Sequence, residues 1–177
     1  MAASVKLDWN SIEFPGKGVA SWRSLKKMVD LDEHPDLFSE RAVYIIRVCR
    51  PFAFNYGKRY SPVAYIGKGQ AQKRITSHLK TWIPHLSAKI PDLRIKIYYC
   101  EPRVRRLGTI CEGVEADLIA KFLQYYGRRP LRNRNTPSDT RQRIYSPPEL
   151  HVLHPGKGKG FHWGLSPLPS SHFYRAP

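Results

Sequence analysis

Three runs of apolar and β-branched residues predict β-strands. AVYIIRVCR covers residues 42–50, VAYIG covers 63–67, and LRIKIYYC covers 93–100, where polar and apolar residues alternate. Residues of these types suit a pleated, half-buried surface. The intervening segment 51–62 contains Pro, Gly and Asn. We therefore expect a hairpin loop there, with the first two strands as antiparallel neighbours.

Apolar positions at helical spacing predict helices in three other places. Thr109 to Tyr126 has this spacing, and Gly127 is a suitable end for the helix. A second helix is expected from about Ala71 to Trp82, and a short one in WRSLKKMVDL with Ser21 as its N-cap. The order β-β-α-β-α predicts an α+β fold, with a small three-stranded antiparallel sheet flanked by helices.

The length and the shifts in composition predict one domain with two extensions. A chain of 177 residues is long enough for a single core and short for two. We expect an N-terminal extension at 1–40, irregular over its first twenty residues before the short helix. The core is expected at 41–135, followed at 136–177 by a basic, Pro- and Gly-rich extension.

Positive charge dominates the chain and is unevenly distributed. The net charge is +16, yet residues 1–40 hold five Lys or Arg and seven Asp or Glu. No acidic residue occurs between Arg41 and Pro91. A field of this sign favours nucleic acid as the partner. An anionic membrane surface and a merely solvated basic surface are the weaker alternatives.

The cysteines and the N-terminus limit the class of protein. Cys49, Cys100 and Cys111 form no CxxC pair, which argues against a disulfide framework and against a zinc knuckle. The N-terminal residues MAASVKLDWN contain no apolar run, and no segment approaches the ~20 apolar residues of a membrane helix. We expect a cytoplasmic protein without membrane contact.

Glu115 has an unusual place on the predicted helix. Leu118, Ile119 and Phe122 follow it by three, four and seven residues, so all four share one stripe. A carboxylate facing a core is costly unless it is paired, protonated or bound to metal. Glu115 therefore pairs with a Lys or Arg, lies at the edge of the stripe, or serves a metal-assisted reaction on a phosphate backbone.

Four further side chains are candidates for the same chemistry. Tyr44 and Tyr65 lie in adjacent predicted strands, and their hydroxyls meet if the strand register allows it. Arg74 and His78 are spaced i,i+4 on the following helix and so share a face. Arginine offers a planar fork of donors for phosphate oxygens, and histidine transfers protons near neutral pH. Tyrosine is also common in strands for packing alone.

Five motifs in order resemble the GIY-YIG nuclease family. They are AVYII, AYIGKG, KRITSHL, VEADLIAKF and RPLRN, and they span residues 42–133. The resemblance implies the same α+β fold and a divalent-metal-dependent phosphodiester hydrolase. Two features depart from the family pattern: Ala42 stands in place of the first glycine of the family name, and Asn133 follows Glu115 by eighteen positions.

The resemblance also implies roles for individual residues. Glu115 would bind Mg²⁺ or Mn²⁺, and Arg74 would clamp the scissile phosphate. Tyr44 would act as the base, with His78 accepting the proton from it, and Tyr65 would position the water or the phosphate. Asn135 is an alternative to Asn133 for the family asparagine. The implied catalytic residues are Tyr44, Tyr65, Arg74, His78, Glu115 and Asn133.

The compact chain most resembles the GIY-YIG type II restriction endonucleases. These enzymes cut double-stranded DNA at specific sites as homodimers and carry no separate DNA-binding domain. The alternatives are a nuclease of low sequence specificity, of phage, homing or repair type, and a non-catalytic basic nucleic-acid-binding protein. Candidate DNA contacts are Lys68, Lys73, Arg128, Arg129, Arg132, Arg134, Arg141 and Arg143.

Overall fold

The computed structural model describes residues 3–90, 92–103, 111–134, 143–155 and 160–166. The N-terminal elements are β1 (Ala3–Ser4), β2 (Asn10–Pro15), α1 (Trp22–Lys26) and a 3-10 helix (Pro35–Phe38). The central elements are β3 (Val43–Val48), β4 (Phe52–Asn55), β5 (Tyr60–Ser61), β6 (Val63–Lys68), α2 (Ala71–Lys80), α3 (Trp82–Lys89) and β7 (Arg94–Cys100). The C-terminal elements are α4 (Cys111–Tyr126), β8 (Arg143–Ile144), a second 3-10 helix (Pro147–Leu153) and β9 (Trp163–Leu165).

The central sheet confirms the α+β class. Its strand order is β2-β7-β3-β6, and every neighbouring pair is antiparallel. The three predicted strands are present, but the prediction of a three-stranded sheet with an irregular N-terminus was wrong. Strand β2 adds a fourth strand and buries Ile12 and Phe14. Only two apolar side chains alternate there, so the local pattern was too weak to indicate a strand without its partner β7.

The segment predicted as a hairpin loop also forms strands. Strands β4 and β5 pair antiparallel, and β9 from the C-terminal extension pairs parallel to β4. A further parallel pair joins β1 to β8. Through β2 and β9 the two extensions therefore pair with strands of the core. They also contact each other, because the Trp9 indole N–H donates to the Glu149 carbonyl at 2.8 Å.

The helices follow the predicted positions with two differences. Ser21 caps α1 in a capping box with Ser24, but α1 ends earlier than the apolar pattern indicated. The helix predicted over 71–82 is divided at Thr81, and Trp82 begins a second helix, α3. Gly127, at a φ of 76°, ends α4 as predicted. The first two residues of the predicted Glu115 helix, 109 and 110, lie outside the described residues.

The core lies between the sheet and the helices that cover it. All six residues of β3 are buried, as expected for a strand inside a sheet that is covered on both faces. Helix α4 packs on β6 and buries Leu118, Ile119 and Phe122, which confirms the apolar stripe predicted beside Glu115. In the described part of the chain, no helix combines the length and apolar character that a membrane span requires.

Candidate active site

The strand register brings the two predicted tyrosines together. Tyr44 on β3 lies opposite Gly67 on β6, and Ile46 lies opposite Tyr65. Tyr44 and Tyr65 are therefore diagonal neighbours on one face of the sheet, within reach of each other's rings. Their ring centroids are 5.8 Å apart. The two hydroxyls were expected to meet only if the strand register allowed it, and this register does allow it.

Gly67 makes room for this pair. A Cβ built at Gly67 would lie 2.5 Å from Cε1 of Tyr65 and 2.6 Å from Oη of Tyr44. Real Cβ atoms do not approach other heavy atoms so closely, so a larger residue would displace one or both tyrosines. Gly67 was not among the residues predicted for the site. The available signal was its place in the motif AYIGKG, two positions after Tyr65.

For the nuclease activity that the GIY-YIG resemblance implies, we expect Gly67→Ala to lower DNA cleavage by about a hundredfold, because a displacement of about 1 Å at a reacting group has effects of this size. The measurement is plasmid cleavage by a variant whose thermal unfolding is recorded alongside. Gly16→Ala is the matched control, since its Cβ would crowd Ser87 outside the site. Equal losses of cleavage in both variants would contradict a positional role for Gly67.

Helix α2 places His78 against the tyrosines. The His78 Nε2 atom is 3.2 Å from Oη of Tyr44, and its ring centroid is 4.5 Å from that of Tyr65. The Trp82 indole N–H donates to His78 Nδ1 at 2.8 Å. Burial lowers the pKa of His78 to about 4, and the charges of Arg74 and Arg132 act in the same direction. His78 is therefore neutral at neutral pH.

Arg74 lies at the solvent side of the cluster. It is exposed, and Tyr44 is the main cause of an upward shift in its pKa, to which Tyr65 also contributes. Burial raises the pKa of Tyr44 well above its usual range, Tyr65 adds to this, and the Arg74 guanidinium opposes it. The Tyr44 hydroxyl is thus a phenol in the free protein, and the Arg74 charge favours its ionised form.

Glu115 lies on α4 and is half-buried, and the positive charges of Lys68 and Arg74 act on it. Burial raises the pKa of this carboxyl, Lys68 and Arg74 lower it, and Glu112 raises it. Lys68 forms its ion pair with Glu112. Within the described residues, no hydrogen bond or ion pair engages the Glu115 carboxylate. The alternative prediction was that Glu115 forms a salt bridge, and no described residue forms one with it.

The donor set at Glu115 fits a hard divalent cation. Carboxylate oxygen is a preferred ligand of Mg²⁺, which commonly binds through one or two carboxylates, waters and substrate phosphate. No group of three or more His, Cys, Asp or Glu residues that could hold a metal occurs among the described residues. A cation at this place would therefore take Glu115 as its protein ligand and complete its coordination with water and phosphate oxygens.

Asn133 is close to the site but is engaged with the backbone. Its side-chain oxygen accepts from the Ile66 N–H at 3.0 Å, and its amide donates to the Ile66 carbonyl at 2.7 Å. Strand β6 is an edge strand, so these backbone groups have no strand partner on that side. Asn133 thus supports the backbone beside Tyr65, and its catalytic role stays a prediction. The alternative, Asn135, lies outside the described residues.

The predicted DNA-contacting residues differ in their accessibility. Lys73, Arg132 and Arg134 are exposed, whereas Arg128 and Arg129 are half-buried. Lys68 is held by Glu112, and Arg129 donates to the Arg134 carbonyl. Arg141, from the same predicted set, lies outside the described residues.

Arg143 does not belong with these exposed cations. Its guanidinium forms an ion pair with Asp117 at 3.2 Å, and only 6% of its side chain is accessible. Tyr145 donates a second hydrogen bond to the same carboxylate at 2.6 Å. The local sequence did not indicate this pairing, because Asp117 lies 26 positions earlier in the chain. The ion pair attaches β8 to α4, and the DNA contact of Arg143 stays a prediction.

Trp82 is the second residue near the site to which the sequence gave no role. It stands four positions after His78, as His78 stands four after Arg74, so helical spacing was the available signal. The division between α2 and α3 does not disrupt this arrangement, because the indole still reaches the imidazole. The guanidinium of Arg132 lies over the Trp82 ring, 5.8 Å from its centroid.

Comparison of the chain with protein-family models, with curated proteins and with solved structures gave no match.

Proposed function

We propose that this protein is a divalent-metal-dependent DNA endonuclease of the GIY-YIG type. The observation that carries the proposal is the convergence of Tyr44, Tyr65 and His78, with Gly67 against the two tyrosines and Arg74 at the solvent side. Glu115, without a partner among the described residues, lies within electrostatic reach of Arg74. This combination of an anion-binding guanidinium, a candidate base and a lone carboxylate suits phosphodiester hydrolysis.

The roles follow from chemistry and position. Arg74 is exposed and binds two phosphate oxygens through its planar fork. The Tyr44 hydroxyl first releases its proton to solvent. A water then attacks phosphorus and gives its proton to Oη of the resulting phenolate. The bond from phosphorus to the leaving sugar oxygen breaks, and that oxygen takes a proton from solvent. Tyr65, on the same face as Tyr44, orients the attacking water or the phosphate.

The ionised form of Tyr44 depends on its neighbours. Burial disfavours the phenolate, so each positive charge and each hydrogen-bond donor directed at Oη contributes to its formation. Glu115 would hold Mg²⁺ or Mn²⁺. When bound, that ion would supply charge stabilisation to the phosphoryl oxygens and to the leaving oxygen.

The substrate and the assembly are further parts of the proposal. The +16 charge suits double-stranded DNA, and the compact chain suits a site-specific type II restriction enzyme. A palindromic site calls for a homodimer whose two-fold axis coincides with that of the DNA. Sedimentation with and without DNA tests this, and a strictly monomeric protein would favour a nicking or low-specificity nuclease instead.

The direct experiment is incubation of the protein with supercoiled plasmid and Mg²⁺, with EDTA as the control. Discrete fragments with defined ends are expected of a restriction enzyme. A continuous smear would support a nuclease of low specificity. Retarded but uncut DNA would support the non-catalytic nucleic-acid-binding protein and would contradict the proposed function.

DNA affinity is expected to fall steeply with salt, because cationic side chains that contact phosphates release counterions. For about six phosphate contacts, binding should weaken by about a thousandfold between roughly 50 and 200 mM salt. Fluorescence anisotropy with an uncleavable duplex measures this. Arg132→Ala should reduce the slope of the log–log plot by about one unit. A flat plot would contradict phosphate-dominated binding.

A further inference from the structure

We propose that Trp82 is a positioning residue that fixes the tautomer of His78, so that His78 donates its Nε2 proton to Oη of Tyr44. This inference rests on the proposed nuclease function, because it assigns the direction of a hydrogen bond within that site. It concerns a residue outside the motifs that suggested the function. Its basis is the geometry of two hydrogen bonds on opposite sides of one imidazole ring.

The first hydrogen bond determines which nitrogen of His78 lacks a proton. An indole N–H is only a donor, and the Trp82 N–H points to Nδ1 of His78 at 2.8 Å. Nδ1 must therefore offer its lone pair. The ring is neutral, since burial and two nearby arginines keep the pKa of His78 near 4. A neutral imidazole carries one proton, which is then on Nε2.

The second hydrogen bond follows from the first. Nε2 lies 3.2 Å from Oη of Tyr44, so the Nε2 proton is donated to the tyrosine oxygen. This direction is opposite to the relay expected from the sequence, in which His78 accepts the proton of Tyr44. A donor directed at Oη stabilises the phenolate, as the Arg74 charge also does. His78 thus supports Tyr44 as a base rather than acting as its proton acceptor.

The surroundings of Trp82 hold its indole in this orientation. Only 8% of Trp82 is exposed, and Arg132 lies over its ring. Arg132 is itself held in place, because its backbone N–H donates to the Ala64 carbonyl at 2.9 Å on the edge strand β6. A hydrogen-bonded partner on the far nitrogen is a common way to fix the tautomer and orientation of a functional histidine.

The test combines histidine NMR with cleavage kinetics on the full chain. In the ¹⁵N-labelled protein at neutral pH, the spectrum should show His78 as the Nε2–H tautomer. The His78 signals are assigned as those that are absent from the spectrum of His78→Gln. Trp82→Phe keeps an aromatic face for Arg132 and removes the N–H, so it should yield a mixture of tautomers. Its kcat for DNA cleavage should fall by about 10- to 100-fold, with KM unchanged.

Trp9→Phe is the matched control. It removes an indole N–H hydrogen bond of the same 2.8 Å length, which is made to the Glu149 carbonyl and not to a residue of the candidate site. It should leave the His78 tautomer and kcat unchanged. A raised kcat in Trp82→Phe would show that His78 works as an acceptor. A changed tautomer with unchanged kcat would show that the tautomer has no catalytic consequence. Either result would overturn the proposal.

Two further outcomes separate this inference from the proposed function. If the wild-type protein does not cut DNA, the proposed function fails, while the NMR spectrum still decides the tautomer. If Trp82→Phe does not fold, the wild-type spectrum alone is sufficient. A ¹⁵N–¹⁵N coupling across the hydrogen bond from Trp82 Nε1 to His78 Nδ1 is expected. An Nδ1–H signal for His78 would refute the assignment.

Discussion

Replacing Glu115 with glutamine is expected to lower Mg²⁺-dependent DNA cleavage by at least about a thousandfold. The substitution keeps the size of the side chain and removes the charge that would hold the cation, whose charge stabilisation contributes several kcal/mol. DNA binding should persist or tighten, because one negative charge near the phosphates is lost. Plasmid cleavage and anisotropy on the same preparation measure both quantities.

Thermal unfolding distinguishes a metal ligand from a structural ion pair. Burial raises the pKa of Glu115, so folding disfavours its charged form, and Gln should hold or raise the melting temperature. Loss of one partner of a buried ion pair would instead cost about 3–5 kcal/mol. Glu112→Gln is the matched control, since it removes the same charge one turn away at an exposed position. A folded Glu115→Gln protein with normal cleavage would refute the metal site.

The second large effect is expected from Arg74→Ala, which should lower kcat by about 10²–10³-fold, as removal of one donor to a developing oxyanion does elsewhere. Arg74→Lys should recover only part of this loss, because an ammonium keeps the charge and lacks the planar fork. Arg74 is exposed, so folding should be unaffected in both variants. Steady-state cleavage of a duplex oligonucleotide provides the measurement.

The pH dependence of the Arg74 variants gives an independent readout. Arg74 lowers the pKa of Tyr44, so its removal raises that pKa further, and the rate should reach its maximum at higher pH. Lys80→Ala, an exposed substitution on the same helix, is the control and should change neither the rate nor the pH profile. An unchanged pH profile in Arg74→Ala would argue against Tyr44 as the base.

Local sequence was sufficient for the elements that lie within one continuous segment. The alternation in 93–100 and the apolar runs around Tyr44 and Tyr65 predicted the three strands, because side-chain periodicity reports which residues face a core. The stripe beside Glu115 and the glycine at its end predicted α4. Spacing alone placed Arg74 and His78 on one helix face. The candidate site was therefore visible before the fold.

Tertiary structure decided the features that depend on partners far along the chain. Strand β2 needs β7, about eighty positions later, and β4 needs β9, more than a hundred positions later. Short strands gain their stability from pairing rather than from intrinsic preference, so they leave little local signal. The same reason explains Arg143, whose acidic partner lies on another element.

The site itself shows the same division. The sequence determined which groups are available for chemistry: two tyrosines, an arginine, a histidine and a carboxylate. The fold decided how each is used. Asn133 turns to the outer edge of β6, because an edge strand leaves donors and acceptors without strand partners. Trp82 turns its N–H to His78, because a buried indole donor needs an acceptor. These directions depend on packing in three dimensions, which residue spacing does not specify.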